Sequence, residues 1–365
     1  MDFSLTDEHI ALRDAVRKFC DSEYELHQRG NAESTELSAV RWAALAELGV
    51  FGLDISADYG GSGLTAVEIM LAAQELGRGL AGGSWIAGNL PAAHILSKAG
   101  SDGQRATWLP DIAMGAKKLA LAYAEPGWRY DLAKPTASVV RKAGGWLLNG
   151  TKTNVLGAET ADGFLVSAGH DMMFIVDAKA SGISIQPFPM IDGRAAGHVM
   201  LKDVMVPADA LIAGAGFAVL QAAIDYAVAA LCAEATGAME ALVDLTSEHL
   251  KTREQFGQPL MKFQALQHKI ADMLIDLEQS KSMACVAALA ADSGDAAQRT
   301  RLVSAAKVTI GNAARRVGQW AIQMHGAMGM TAECRAGHYT KRLLVINQLF
   351  GDAAYHLQRF VKQAA

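Results

Sequence analysis

Absences bound this 365-residue sequence before any motif does. Its four cysteines, Cys20, Cys232, Cys285 and Cys334, never stand in C-x-x-C spacing. That argues against a zinc knuckle or a disulfide framework and reads as reduced thiols in a cytoplasmic protein. Charge is sparse at 19% of residues, and the formal balance of −5 gives no general attraction to phosphate backbones, so nucleic acid is not an expected partner. The start "MDFSLTDEH" lacks the basic end and apolar stretch of a signal peptide, and no uninterrupted apolar run reaches the length of a membrane span, so no membrane partner is expected either. G-x-G-x-x-G, the Walker loop and the G-x-S-x-G elbow are all missing, which removes the commonest nicotinamide, nucleotide and serine-hydrolase signals. None of the ten histidines has Glu three residues before it, so the Glu-x-x-His pairs of di-iron bundles are absent, and no metal site is expected.

What is present is apolar mass: 51% of the residues are hydrophobic, enough to exclude general disorder. The length exceeds what one core organises, so two or three packed units are expected. From Ser4 to about Gly115 apolar residues recur at helical spacing, as in Ile10, Leu12, Val16 and Phe19 and again in Val40, Leu45, Leu48 and Val50. The glycine-rich "DYGGSGL" (58 to 64) and "AGGSWIAGNLP" (81 to 91) break that region. Between about Leu119 and Val206 short strand-like segments follow, "ASVV", "GWLLNG", "GFLVSA" and "MMFIVDA", separated by glycine turns. Four long helical segments come last, roughly 217 to 251, 262 to 292, 297 to 325 and 339 to 363. In the second of them Leu266, Ile270, Met273, Leu274 and Leu277 form a stripe wide enough to face a core. The expected class is α+β and mainly helical: an N-terminal helical domain (1–117), a middle β domain (118–209) and a C-terminal four-helix bundle (210–365).

Several spaced pieces carry chemical information together. "AEPG" (124 to 127) opens the β domain, "LLNGTKT" (147 to 153) lies within it and "LKDVMVP" (201 to 207) closes it. "KTREQFGQPLMKFQALQHKIADM" (251 to 273) and "QMHGAMGM" (323 to 330) follow, while "YGGSGL" and "WLPDIAMG" (108 to 115) precede. In this order and at these separations they resemble the acyl-CoA dehydrogenase family along nearly the whole chain.

The resemblance implies FAD as cofactor, an acyl-CoA thioester as substrate class, and a reaction that removes the α proton while hydride passes from the β carbon to the flavin. It implies a β-barrel-like middle domain and assembly as dimers or tetramers through the bundle. It further implies that the adenosine and diphosphate of FAD are held partly by a neighbouring subunit through Arg-x-x-Phe-Gly and Gln-x-x-Gly stretches, matched by Arg253, Phe256 and Gly257 and by Gln323 and Gly326. Arg offers a charged fork to a diphosphate, and glycine lets a backbone approach closely. A surface Arg, a core Phe and a helix-end Gly are the ordinary alternative.

Elsewhere the chain departs from the family pattern. The family's Thr-Glu-Pro and Gly-Ser-Asp loop has Ala124 and Tyr130 at the threonine and serine positions, and Asn154 and Leu156 stand where Trp and Thr would meet the isoalloxazine. Aligned with the family's Tyr-Glu-Gly-Thr ending, "INQLFGD" places Phe350 at the catalytic glutamate and Asp352 at the threonine. Some members carry the base on the first bundle helix, where this chain has Ala227 and Val228. Proton abstraction needs a carboxylate within hydrogen-bond reach, and losing a general base costs on the order of 10² to 10⁴ in rate.

The chain is therefore expected to be a subunit of a hetero-oligomer, a dimer of dimers with a second, base-bearing acyl-CoA dehydrogenase subunit. It resembles most the smaller subunits of bacterial heteromeric enzymes, in which "FGD" endings recur. A catalytic homo-oligomer would need a displaced base, for which Asp225, Glu234 and Asp352 are the candidates. Asp225 is turned about 200° from the position two residues on, and Glu234 lies roughly 10 Å beyond it along the helix. An acyl-CoA-binding or structural subunit without redox function and a flavin monooxygenase of the same fold are the remaining readings. His325, His338 and His356 read as core or surface histidines, and the fifteen methionines as core packing.

Overall fold

The computed structural model describes residues 4–27, 38–132 and 135–364. Residues 1–3 of the N-terminal stretch read above, and 28–37 of the expected N-terminal helical domain, lie outside the described residues. The chain divides into two compact units. The first takes its described residues from 4–27, 66–82 and 228–364, and the second from 38–65, 83–132 and 135–227.

The helices in chain order are α1 (Asp7–His27), α2 (Ala39–Glu47), α3 (Ala66–Arg78), α4 (Leu90–Ala99), α5 (Asp102–Ala113), α6 (Phe217–Thr252), α7 (Gln264–Ala291), α8 (Ala296–His325), α9 (Arg335–Gln348) and α10 (Ala353–Ala364). The main strands are β1 (Leu119–Ala122), β2 (Ser138–Lys142), β3 (Gly145–Leu156), β4 (Gly163–Ala168), β5 (Met172–Asp177), β6 (Ile183–Pro189) and β7 (Ala195–Pro207).

In the second unit the strands make two open sheets, ordered β1-β4-β5 and β2-β3-β7-β6, and no closed barrel forms among the described residues. The barrel-like expectation is thus replaced by two sheets sharing one core of Leu148, Val155, Phe164, Val166, Phe174, Val176, Val199 and Val204. β1 pairs parallel with β4, and every residue of both strands is buried, the pattern of strands covered on both faces. Asp171, in the β4-side turn before β5, accepts from the backbone N–H of Phe217 and fixes the start of α6. α5 is opened by a reciprocal cap between Ser101 and Gln104.

In the first unit α8 packs against α7, α9 and α10, and α1 packs on α3. Arg17 reaches buried Glu75 with two bonds of 2.9 and 2.7 Å. α3 and α6 meet backbone to backbone: a Cβ on Gly237 would lie 1.8 Å from the Gln74 carbonyl oxygen, and one on Gly77 would lie 2.0 Å from that of Glu234. The small residues of "AAIDYAVAALCAEATG" therefore serve close helix packing at this end. α6 is long and apolar enough to cross a membrane by length and composition, although Asp225 and Glu234 interrupt its apolar run, and 72% of its apolar window is buried inside the protein, as in a core helix. On α7 Ile270, Met273 and Leu277 are buried as the stripe predicts, whereas Leu274 is 45% exposed.

The fourth bundle helix expected over 339 to 363 is two helices. α9 ends at Gln348, and α10 begins at Ala353 after a turn in which Phe350 (φ 56) and Gly351 (φ 119) both leave helical space. Among its described residues the region expected as a four-helix bundle thus contains five α-helices.

Candidate functional site

The Arg-x-x-Phe-Gly stretch is a miniature hairpin. Glu254 and Gln255 pair with Pro259 and Gln258, leaving Phe256 (φ 56) and Gly257 (φ 79) as the two central turn residues. Positive φ at both positions is the I′ geometry that suits a two-residue hairpin. Glycine takes it without cost, but a phenylalanine there costs roughly 1–2 kcal/mol. Phe256 is nevertheless 89% exposed, with Phe263 edge-on to it at a centroid separation of 6.0 Å. A strained and exposed aromatic residue contributes nothing to this chain's own core. Arg253, exposed, continues the last turn of α6 through its N–H to the His249 carbonyl at 2.9 Å.

The Gln-x-x-Gly stretch ends α8, with Gln323 exposed and Gly326 exposed at φ 63. The two stretches are brought together by a ring stack between His249 and His325, centroids 4.4 Å apart and planes within 20°. Met328 and Met330, 52% and 77% exposed, adjoin Gly326 in sequence. The two joined stretches between them offer an exposed guanidinium fork, a side-chain amide, an unshielded glycine and an exposed aromatic ring. That donor set fits the diphosphate and an adjoining apolar ring of a dinucleotide such as FAD.

The turn between α9 and α10 is held from several sides. Lys307 of α8, fully buried, donates from Nζ to the carbonyl of Ile346 and, at 3.1 Å, to that of Leu349. His356 of α10, also fully buried, lies 3.2 Å from the Phe350 carbonyl through Nε2 and 3.2 Å from Ser304 Oγ through Nδ1. Asp352 accepts the Tyr355 N–H at 2.9 Å, the bond of an N-cap on α10. Phe350 itself is 8% exposed. Burial pushes the Lys307 ammonium down to about 8, and it pushes the nearby Cys232 thiol up to about 12. Burial, together with the charges of Lys307 and Arg359, keeps His356 well below the ordinary imidazole value. Sequence spacing gave no sign of Lys307, Ser304 and His356 acting together; a lysine inside an apolar helical stripe was the available signal.

The other acids are engaged as well. Glu234 is fully buried and gripped by Arg342 of α9, itself 2% exposed, through two bonds of 2.9 and 2.6 Å. A carboxylate clasped by both prongs of a guanidinium is a poor proton acceptor. In the second unit Asp225 is fully buried and accepts from the Gln221 amide at 3.2 Å. Ala227 and Val228 are buried with no polar side-chain atoms. His325 and His338 hydrogen-bond the carbonyls of Ala321 (2.8 Å) and Ala332 (2.7 Å).

In the second unit the "AEPG" loop is anchored by its glutamate. Glu125 accepts from Lys152 Nζ at 2.5 Å, from the Thr136 N–H at 2.5 Å, from the Thr136 hydroxyl and from the Ala137 N–H at 3.1 Å. Burial raises the Glu125 carboxyl, but the bonds from Lys152 and Thr136 outweigh it and the net direction is down. Lys152 also reaches Ser167 Oγ at 3.1 Å. Ala124 accepts the Thr153 N–H at 2.8 Å through its backbone, while its side chain offers nothing polar. Arg129 lies over the ring of the half-buried Tyr130 at 5.6 Å. Asn154 is exposed at φ 54, and Leu156 is buried.

Three family models cover almost the whole chain: "Acyl-CoA dehydrogenase, N-terminal domain" over 6–116, "middle domain" over 120–204 and "C-terminal domain" over 214–364. The acryloyl-CoA reductase (NADH) of Anaerotignum propionicum is 30% identical over 90% of this chain and 87% of its own length. A glutaryl-CoA dehydrogenase from Mycobacterium smegmatis in complex with FADH2 superposes with a TM-score of 0.92 at 24% identity, covering 99% of this chain and 95% of that one. A variant of the Tcur3481-Tcur3483 steroid ACAD superposes with a TM-score of 0.87 at 28% identity, covering 98% of each chain.

Proposed function

This chain belongs to the acyl-CoA dehydrogenase family, and from that premise we propose that it works as one subunit of a heteromeric enzyme, lending part of an FAD site to a partner that carries the catalytic base. It is an oxidoreductase of that family, with FAD as cofactor and an acyl-CoA as substrate class. Bound FAD supplies the hydride acceptor. The residues of this chain bind and orient: Arg253 neutralises diphosphate charge, Gln323 donates its amide, Gly326 lets the backbone approach and Phe256 projects an apolar ring across the subunit boundary. The partner is a second subunit of the same family, the whole being a dimer of dimers.

The observation that carries this reading is the turn at Phe350. Its backbone is fixed by Lys307, His356 and Asp352, yet the residue it presents has no proton acceptor. Moving the base elsewhere in the chain meets an Arg342-bound Glu234, a helix-capping Asp352 and a Gln221-bonded Asp225. The similarity to a steroid ACAD with the double designation Tcur3481-Tcur3483 supports the two-chain reading. Purifying the chain alone and again with a co-expressed base-bearing subunit tests the proposal. Flavin should accompany the pair, and Arg253→Ala should strip flavin from it. Turnover by the chain alone, with FAD bound to every copy, would remove the proposal.

A further inference from the structure

The ring stack that joins the two cofactor-facing stretches has its own chemistry. His249 lies in the last turn of α6 and His325 is the last residue of α8, positions where the helix C-terminus favours an imidazolium. Neutral His325 donates from Nδ1 to the Ala321 carbonyl, so its Nε2 keeps a lone pair. The His249 ring stacks on His325 and forms no hydrogen bond among the described residues. Two imidazolium rings 4.4 Å apart would repel strongly, so the pair holds at most one added proton.

We propose that His249 and His325 are a positioning pair for the cofactor's diphosphate: they clasp the Arg253 turn to the Gln323 turn and take up one proton between them when an anion occupies that face. The inference rests on the reading of Arg253 and Gln323 as FAD-binding residues and names two further residues of the same site. Without an anion, partial burial, the repulsion from a protonated His325 at the end of α8 and the charge of Arg253, one residue past the end of α6, hold His249 below the ordinary imidazole value. A bound diphosphate offsets the Arg253 charge and favours the protonated pair. The proton comes from solvent, and no bond other than N–H forms. Affinity therefore rises as pH falls, with a limiting slope of about tenfold per pH unit for one proton.

The test uses the deflavinated complex of this chain with its partner. FAD affinity is measured across the neutral and mildly acidic range, and proton uptake is measured by calorimetry in buffers of different ionisation enthalpy. Uptake approaching one proton per site is expected near the histidine range. His249→Phe, which keeps a ring against His325 and leaves the Ala321 bond intact, should retain FAD binding while losing most of the pH slope; the double variant with His325→Phe should lose all of it. A wild-type complex that binds FAD without proton uptake overturns the inference even if both variants fail to fold, as does an unchanged slope in folded His249→Phe. Arg253→Ala separates the layers. If it weakens FAD binding while the histidines prove silent, only the pair is wrong; if it leaves FAD binding unchanged, the site reading falls and the pair with it.

Discussion

Replacing Arg342 by Met isolates the buried charge of Glu234. Glu234 is fully buried, Arg342 is 2% exposed, and they share bonds of 2.9 and 2.6 Å. A surface pair of this kind contributes about 0–1 kcal/mol. In the interior, removing one partner leaves a charge without its counter-ion, and the loss is about 3–5 kcal/mol. At about 2–4 °C per kcal/mol for a domain of 150–250 residues, the fall in Tm is roughly 10 °C. Replacing both residues by apolar ones, Glu234→Leu with Arg342→Met, should recover most of that loss, because the stranded carboxylate is gone. Denaturant unfolding and thermal melting of the three variants measure this. The same residues test the chemistry: Glu234→Gln in the proposed two-subunit enzyme should lower Tm and leave turnover per folded enzyme within about threefold, far less than the 10² or more of a lost base. A loss under about 1 kcal/mol in Arg342→Met, or a folded Glu234→Gln complex without turnover, would refute the structural assignment of Glu234.

Lys307 gives a pH-dependent prediction. Its pKa is depressed in the folded protein, so the unfolded chain binds more protons above pH 8, and folding stability on its account rises with pH from about 8. Cys232, raised to about 12, opposes this above its ordinary value of 9.0, so the clean window is pH 8 to 9. There the slope should be at most about 1.4 kcal/mol per pH unit and should vanish in Lys307→Met, as urea unfolding at each pH would show. Lys152→Met should destabilise the protein by about 3–5 kcal/mol by stranding part of the Glu125 network, seen as early loss of amide protection in β3. Phe256→Asn should relieve positive-φ strain and raise stability by about 1 kcal/mol while weakening flavin retention in the complex. An unchanged flavin content would detach Phe256 from the site.

The local patterns were legible in helices with one buried face and in short apolar runs bounded by turn residues. The α7 residues Ile270, Met273 and Leu277 face the core as spacing predicts, and "GWLLNG", "GFLVSA" and all but the last residue of "MMFIVDA" lie on strands. The break between α9 and α10 was not legible, because "VINQLFGDAAYH" keeps a helical apolar pattern across it. The turn is set by tertiary donors, Lys307 and His356, that no local pattern reveals. Sheet closure was equally hidden, since strand spacing does not fix how two sheets join. The two stretches proposed to face the cofactor are far apart in sequence, and their meeting through His249 and His325, 76 residues apart in the chain and stacked in the fold, is not legible from any local pattern. Glu234 stood among the candidate bases because its partner, Arg342, lies 108 residues away, beyond the reach of any local pattern.

The most direct test of the central claim is rapid mixing of acyl-CoA with purified protein while flavin absorbance is followed. The chain with its partner should bleach in a single turnover, and the chain alone, even when loaded with FAD, should not. Bleaching by the isolated chain at a rate matching the complex would mean that it carries its own base.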